Sequence, residues 1–162
     1  MQEKISHKKA LLTQGKRAHK TRIPEEPLEP NEPFEIPRGW VWTALKNVGS
    51  TTTGKTPSTK NKTFFGGQIP FIGPGQIASS GIIVAPDKYL SEEGIKESEE
   101  ATPDDLLMVC IGGSIGKTAK ATERCGFNQQ INKIRPIIAN ADYLLAVLNT
   151  DFFLGRVAVS HG

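Results

Sequence analysis

The sequence predicts an α+β fold, in which an irregular, mainly antiparallel sheet carries short flanking helices and follows an N-terminal helix and a proline-rich extended linker. Short apolar runs bounded by Gly, Pro and Ser recur between residues 68 and 138, as expected for strands. Apolar residues at helical spacing concentrate near the two ends of the chain. At 162 residues, with no internal repeat, the chain has room for one core-forming domain.

The first 38 residues are predicted to lie outside that core. Residues 1–14 place apolar side chains roughly along one side of a short amphipathic helix, with lysines outside. Residues 15–37 contain five prolines and five glutamates, a composition typical of an extended, polyproline-like tether. We interpret 1–38 as the end of a helical spacer plus a linker, and 39–162 as a single folded domain.

Within the domain, short apolar runs predict the strands. These are residues 68–72, 81–84, 106–111, 117–121 and 131–138. Pro70 favours an edge position for the first of them. The run 106–111 (LLMVCI) is predicted to be the most buried, and residues 41–48 fit either a strand or a short helix.

The helices are predicted from capping residues and spacing. Ser91, followed by two glutamates, predicts a brief helix over 91–97 with Ser91 as its N-cap. Apolar residues at helical spacing over 143–148 predict a further helix. The Asn-Thr-Asp sequence at 149–151 then ends that helix and caps another, which bears Phe152, Phe153 and Val157.

Charge is unevenly distributed although the net charge is only +3. Residues 39–86 contain four lysines and no acid, residues 87–105 contain eight acids and two lysines, and residues 106–162 contain six bases and three acids. If the fold brings the two basic stretches together, they form one positive face of the kind that binds a polyanion. Ordinary solvated surface charge is the alternative interpretation.

Residues 49–56 (GSTTTGKT) match the phosphate-loop pattern of nucleotide-binding proteins, which sets up a nucleotide-binding hypothesis. Such a loop needs a helix that starts at its Lys-Thr pair. Here Pro57 follows at once, residues 58–63 have no apolar face, and two glycines arrive at 66–67. The context therefore disfavours a phosphate loop, and nucleotide binding is kept as an alternative function.

The chain has few of the residue patterns that are typical of catalytic or metal sites. The three histidines are scattered, no Ser or Cys stands in a nucleophile-elbow pattern, and Cys110 and Cys125 lack metal-ligand spacing. We therefore expect no catalytic residue, no metal and no cofactor. No apolar run reaches the length of a membrane span, and the N-terminus is too charged for a secretory signal, so a cytoplasmic location is expected.

Residue types that read DNA are instead frequent in the loops, where each loop follows an apolar segment. Lys addresses guanine edges and phosphates, Asn and Gln address adenine, and hydroxyls hold phosphates. The candidate DNA-binding residues are Lys55, Thr56, Lys60, Lys62, Gln76, Ser114, Lys117, Asn128, Gln129 and Gln130. We predict that these loops share one surface and that residues 92–100 lie off it. The alternative is that Asn and Gln simply populate loops, or bond to the backbone.

Several short sequences resemble those of a known family. They are PFEIPRGW at 33–40, GKTP at 54–57, GQIPFI at 67–72, DDLL at 104–107, GSIGK at 113–117 and NQQI at 128–131. Together they make the chain similar to one target recognition domain of the DNA-specificity (S) subunit of type I restriction–modification systems. In that family the usual glycine before the aspartate of the fourth sequence is replaced here by Asp104, which tolerates the same turn.

The resemblance implies a non-catalytic DNA-binding module. Subunits of this family carry two recognition domains, each of which reads half of a split double-stranded DNA target. Their long helices dock methyltransferase subunits, and an endonuclease subunit joins the assembly. The present chain resembles one recognition domain that stops before its closing elements, so we expect exposed apolar side chains at 152, 153 and 157, and self-association. A protein-interaction module that uses the proline-rich tether is a further alternative.

Overall fold

A computed structural model describes residues 34–159, and describes side chains as far as Val157. The predicted N-terminal helix and most of the predicted linker therefore lie outside the described residues. The helices are α1 Leu45–Val48, α2 Glu92–Lys96, α3 Ala141–Leu148 and α4 Asp151–Val159. The strands are β1 Gly49–Thr53, β2 Phe65–Ile72, β3 Lys88–Leu90, β4 Glu99–Ala101, β5 Leu106–Val109, β6 Thr118–Lys120, β7 Cys125–Phe127 and β8 Ile131–Pro136.

The strands form two four-stranded sheets. Sheet A has the order β1-β8-β5-β6 and is antiparallel throughout. Sheet B has the order β3-β2-β7-β4, and its β2–β7 pair is the one parallel pairing among the described strands. The predicted class, α+β with mainly antiparallel strands and short helices, is confirmed, but the expected single sheet is in fact two.

The main core lies between the two sheets. Leu107, Val109 and Ile131 of sheet A pack against Ile72 and Phe127 of sheet B, and all five are buried. Alternate residues of the same strands point to the opposite faces, because side chains alternate along a strand. On the outer face of sheet A the buried side chains pack against α1, α3 and α4, and on the outer face of sheet B they pack against α2. No helix within residues 34–159 has the length and apolarity to cross a membrane.

The predicted strands mostly form, with two corrections. All four residues of β5 are buried, as its run of apolar residues predicts. Residues 81–84 do not form a strand, because only an isolated bridge between Ile77 and Ile83 pairs there. The edge position predicted from Pro70 is also wrong, since β2 lies between β3 and β7. The β7 ladder starts at Phe71, one residue beyond the proline that lacks an N–H donor.

Residues 41–48, for which a strand or a short helix was expected, contain the short helix α1. The brief helix expected over 91–97 is observed as α2, with the Ser91 side chain accepting from the Gly94 N–H at 3.0 Å. The two C-terminal helices also form where the spacing predicts them. Asn140 is the N-cap of α3, and its side chain accepts from the Tyr143 N–H.

The predicted bare patch on the C-terminal helices is partly covered. The Phe152 ring lies 5.3 Å from the Phe34 ring and 6.1 Å from the Trp42 ring, and Phe153 packs into the outer core of sheet A. The N-terminal aromatic segment thus supplies the partner that was expected to be missing. Phe34 and Trp40 remain more than half exposed, so self-association stays a prediction.

A buried carboxylate joins the start of β5 to the end of β8. Asp105 is 2% exposed and accepts from Arg135 at two points, Nε to Oδ1 at 2.7 Å and Nη2 to Oδ2 at 2.6 Å. The Thr102 N–H also donates to Oδ2 at 2.9 Å. Burial by itself raises the pKa of Asp105, but the hydrogen bonds from Arg135 and Thr102 outweigh it, and the pKa falls below the ordinary value of 3.8.

We therefore expect Asp105→Asn to destabilise the domain by about 3 kcal/mol at pH 7, because it leaves the Arg135 guanidinium without its anionic partner. A depressed pKa contributes stability that is present above pH 3.8 and disappears as the pH falls through the lower folded-state value. The difference between wild type and variant should accordingly shrink in urea titrations carried out below pH 4. Asp104→Asn removes the same charge one residue earlier, from an exposed side chain, and should change the free energy of unfolding by about 0.5 kcal/mol or less. A variant as stable as wild type at pH 7 would contradict this assignment.

Candidate nucleic-acid interface

Four loops meet at one end of the two packed sheets because the strand directions and registers bring them together. In sheet A the last residue of β1 pairs with Asn132 and the last residue of β5 pairs with Ile131, so the loops after β1 and β5 lie beside the start of β8. In sheet B the last residues of β2 and β7 pair with each other in parallel. The loops, together called the loop end, are residues 54–61, 73–76, 110–117 and 128–130.

Residues 128–130 form the centre of the loop end. The Asn128 N–H donates to the Ile72 carbonyl at 3.0 Å, and the Asn128 carbonyl accepts from the Ile131 N–H at 3.1 Å. The Asn128 side chain bonds twice to Gln130, accepting from its backbone N–H at 3.1 Å and donating to its Oε1 at 3.2 Å. The amide of Asn128 is therefore structural, as one of the alternative interpretations of this sequence anticipates.

The loop after β1 is fixed against this centre. The Gly54 N–H donates to the first carbonyl of β8 at 2.9 Å, and the Lys55 N–H donates to the Phe127 carbonyl at 3.0 Å. Thr56 Oγ1 then donates to Gln129 Oε1 at 2.7 Å. Two predicted site residues that are 73 positions apart in the sequence are thus in direct contact.

The loop after β2 uses its glutamine internally. Gln76 Oε1 accepts from the Gly73 N–H at 3.0 Å, and Gln76 Nε2 donates to Asp87 Oδ2 at 2.7 Å. Both ends of this amide are engaged within the protein. Gln76 is located at the loop end as expected, but its side chain shapes the loop and sits beside a carboxylate.

The β5–β6 hairpin loop is tied to the centre by Gln130, whose Nε2 donates to the Ile111 carbonyl at 3.5 Å. Ser114 and Lys117 are half-buried in this hairpin, and the Lys117 N–H donates to the Ser114 carbonyl at 3.2 Å. Within residues 34–159, neither of their side chains takes part in a hydrogen bond or ion pair. Both side chains are therefore available to a ligand.

Lys60 lies near the far end of the loop after β1, and Lys62 begins the 3₁₀ turn that leads into β2 beside the start of α2. The neighbouring Thr63 hydroxyl donates to Glu93 Oε2 at 3.1 Å, so this part of the loop lies next to acidic residues. The structure keeps both lysines exposed but does not bring them into contact with residues 128–130.

The expectation that residues 92–100 lie off the predicted surface is wrong at one point. Glu97 forms an ion pair with Lys55 at 3.5 Å, and the Ser98 hydroxyl donates to the Lys55 carbonyl at 2.7 Å. The reason is that β4 is antiparallel to β7, so its leading residues lie at the loop end. Glu92 and Glu100 instead pair with Arg124, which precedes β7 and is therefore at the opposite end.

The structure also explains why the phosphate-loop pattern is not a phosphate loop. Residues 49–53 are an extended strand, and the next two N–H groups donate to β8 and β7 instead of facing a concave site. No α-helix begins at Thr56, and only a single 3₁₀ turn, Lys62–Phe64, follows. The Gly54 and Lys55 amides, which a phosphate loop would turn toward the phosphates, are thus already bonded within the protein.

Both cysteines are free thiols in surroundings that disfavour the thiolate. Burial raises the pKa of Cys125 to about 12, and burial also raises the pKa of Cys110, so both thiols are protonated near neutral pH. Within residues 34–159, no group of three or more His, Cys, Asp or Glu is placed to hold a metal ion.

Sequence reasoning missed two kinds of residue at the loop end. Thr53 and Asn132 are paired at the junction of β1 and β8, and the polar GSTTT sequence gave no apolar signal for a strand there. Ile111 was assigned to the buried strand, yet it is 57% exposed beside Gln130. An exposed apolar side chain of this kind suits contact with a thymine methyl group.

The fold and its loop end define a class of domain. In this class, two packed sheets present amide, hydroxyl and lysine side chains from four loops at one end. The family model for the type I restriction modification DNA specificity domain matches residues 37–155. The chain belongs to this family.

Curated relatives agree with this membership. The chain is 34% identical over 102 residues to the type I restriction enzyme HindI specificity subunit of Haemophilus influenzae, a match that covers 62% of this chain and 22% of the relative. It is 31% identical over 105 residues to the MjaIX specificity subunit of Methanocaldococcus jannaschii, covering 63% of this chain and 24% of the relative. The match thus spans about a quarter of each relative.

Solved structures share the fold. A chain from a study of complex assembly and conformational transition of the type I R-M system superposes with a TM-score of 0.61 at 23% identity, covering 77% of this chain and 30% of that one. The HsdS subunit from Thermoanaerobacter tengcongensis superposes with a TM-score of 0.59 at 22% identity, covering 74% of this chain and 29% of that one. At this identity the likeness concerns the fold.

The close approach of the loop after β1 to residues 128–130 yields a stability prediction. A Cβ on Gly54 would stand 2.6 Å from Phe127 Cδ2 and closer still to the Asn128 carbonyl oxygen, where the backbone cannot easily move aside. Gly54→Ala should therefore destabilise the domain by about 1–3 kcal/mol through overpacking. A Cβ on Gly75, also at the loop end, would meet nothing within 4 Å, so Gly75→Ala is the control. Urea unfolding followed by tryptophan fluorescence measures both, and equal midpoints for the two variants would show that the contact is not tight.

Proposed function

We propose that this chain is a non-catalytic module that recognises DNA sequence through the loop end. The observation that carries the proposal is the convergence of four loops around residues 128–130, with the exposed Gln129 at their centre. Exposed amide side chains read base edges, and lysines contact phosphates on either side of them. Family membership supports the same function.

The charges at the loop end suit a double-stranded DNA ligand. Lys117 has no ion pair within the described residues. Lys60 and Lys62 are also exposed, but they lie toward Glu93 and away from residues 128–130, so they are proposed only as outlying phosphate contacts. Lys55 pairs with Glu97, but both side chains are more than half exposed, and a pair of this kind contributes little. A DNA phosphate therefore replaces Glu97 as the partner of Lys55 at small cost.

In this proposal the module, residues 39–162, reads one half of a bipartite target. The curated relatives are named as specificity subunits of type I restriction enzymes. By analogy, the protein to which this module belongs directs methyltransferase and endonuclease subunits to the sites that it reads. It acts in the cytoplasm and needs no cofactor of its own.

The salt dependence of DNA binding shows whether a given lysine contacts a phosphate. Lys117→Ala should weaken binding to all duplexes and lower the slope of log K against log salt by about one unit, because one phosphate contact is lost. Lys46 is the matched control, since it lies in α1 at the opposite end of β1, and Lys46→Ala should leave the slope unchanged. Fluorescence anisotropy with a mixed-sequence duplex at several salt concentrations measures both. Equal slopes for the two variants would count against the loop end as the DNA-binding surface.

A base contact should behave differently from a phosphate contact. Gln129→Ala should change the ranking among duplex sequences and leave the salt slope close to that of the wild type, because base contacts specify and phosphate contacts position. Competition among duplexes of different sequence measures the ranking.

Binding of a fluorescent ATP analogue that Lys55→Ala abolishes would overturn the proposal and favour the nucleotide-binding alternative.

A further inference from the structure

We infer that Asp87 is a specificity-determining residue that accepts from the amino group of a cytosine, and that Gln76 is the positioning residue that orients its carboxylate. The inference rests on the proposed function. It replaces the direct base contact expected of Gln76 by a contact through its hydrogen-bond partner, 11 positions further along the chain.

Asp87 lies at the loop end, although it belongs to none of the four loops. It directly precedes β3, which is antiparallel to β2 and therefore begins beside the end of β2. A Cβ on Gly73 would stand 3.3 Å from Gln76 Oε1 and 3.7 Å from Asn128 Nδ2, so the Gln76 side chain lies beside the centre of the loop end. Asp87 is bonded to the outer side of that glutamine.

The orientation of the Gln76 amide is fixed by its partners. Its Oε1 accepts from the Gly73 N–H at 3.0 Å, and a backbone N–H can only donate, so the oxygen has to face it. The nitrogen therefore faces Asp87, to whose Oδ2 it donates at 2.7 Å. The backbone of Gln76 is held as well, since its N–H donates to the Gly73 carbonyl at 3.1 Å and its carbonyl accepts from the Val84 N–H at 2.9 Å.

The Asp87 carboxylate keeps the capacity to accept further hydrogen bonds. Asp87 is exposed, and Gln76 is its one hydrogen-bond partner within residues 34–159, where it also forms no ion pair. A carboxylate has two oxygens that accept and no group that donates. The bond from Gln76 uses one oxygen and holds the other toward a ligand at the loop end.

A DNA duplex offers few groups that suit a carboxylate held in this way. Phosphates repel it, because both groups are anionic. In the major groove guanine and thymine present acceptors, and adenine presents its amino group beside the N7 acceptor. Cytosine presents the N4 amino donor alone. Of the four bases, cytosine therefore matches Asp87 best.

Selection of randomised duplexes by the full 162-residue chain, followed by sequencing, tests this assignment. Wild type should enrich cytosine at one position. In Asp87→Asn the new amide has to turn its oxygen to the Gln76 nitrogen, so its own nitrogen faces the DNA. The relative preference for cytosine at that position should then fall by about tenfold, and bases that present acceptors should replace it.

Asp104→Asn is the matched control. It removes the same charge from an exposed side chain just before β5, at the end of the sheets opposite to the loop end. It should leave the preference at every position unchanged. The control separates a base contact from a general gain in affinity, because removing any negative charge favours binding to all duplexes alike.

The role of Gln76 is tested by reversing the hydrogen bond. Gln76→Glu keeps an acceptor for the Gly73 N–H but turns a second carboxylate toward Asp87, and the two repel each other, so cytosine should be preferred by less than about threefold. When Gln76→Glu is combined with Asp87→Asn, the new amide nitrogen donates to the new carboxylate and the amide oxygen faces the DNA. The combined variant should recover the cytosine preference that each single substitution loses. A merely structural role for Gln76 would show no such recovery.

The outcomes separate this inference from the proposed function. A wild-type chain that binds duplexes without any sequence preference overturns the proposed function. A wild-type preference that Asp87→Asn leaves unchanged at every position overturns the inference alone. If Gln76→Glu fails to fold, as judged by urea unfolding, Asp87→Asn still decides, because it changes an exposed side chain and retains an acceptor for Gln76.

Discussion

The interaction on which the rest of the structure depends is the pairing of the buried Asp105 carboxylate with Arg135. It joins the residue before β5 to a residue near the end of β8, the two central strands of sheet A. With the carboxylate 2% exposed, a shift in strand register would leave a buried charge unpaired, which costs several kcal/mol. The same register pairs the other ends of these strands, Val109 with Ile131, and so sets the hairpin loop 110–117 beside residues 128–130.

A second buried charge fixes sheet A against sheet B. Lys133 of β8 is 9% exposed, and its Nζ donates to the Glu100 carbonyl of β4 at 2.7 Å. Burial lowers the pKa of Lys133, and the adjacent Arg135 lowers it further, so the ammonium depends on this bond and on nearby carboxylates for its charged form. Because the loop end takes two loops from each sheet, its geometry requires the two sheets to be held in one relative position.

An element of the fold can be predicted from the sequence only where its own residues carry a recognisable pattern. Strand β5 is predicted by its run of apolar residues, and helix α2 is predicted by its serine N-cap. The polar strand β1 and the three-residue strands β3, β4 and β7 carry no such signal, because their pairing is dictated by partners distant in the sequence. Because these strands were not predicted, one sheet was expected where the structure has two.

The candidate site shows the same division. The sequence singles out residues 128–130 as three adjacent amides, but it cannot tell which of them is exposed and which group within the protein each one bonds. That depends on Thr56 and Ile111, which lie 73 and 19 positions away from their partners. The presence of Glu97 beside Lys55 was equally hidden, because it follows from the direction of β4 relative to β7.

The Asp105–Arg135 pair and the proposed DNA-reading surface therefore lie at opposite ends of the same two strands. The Asp105–Arg135 pair and the buried faces of β5 and β8 hold the fold, whereas the loop end is held to that frame largely by backbone hydrogen bonds that do not depend on side-chain identity. A side chain such as Gln129 can change without disturbing either set of contacts.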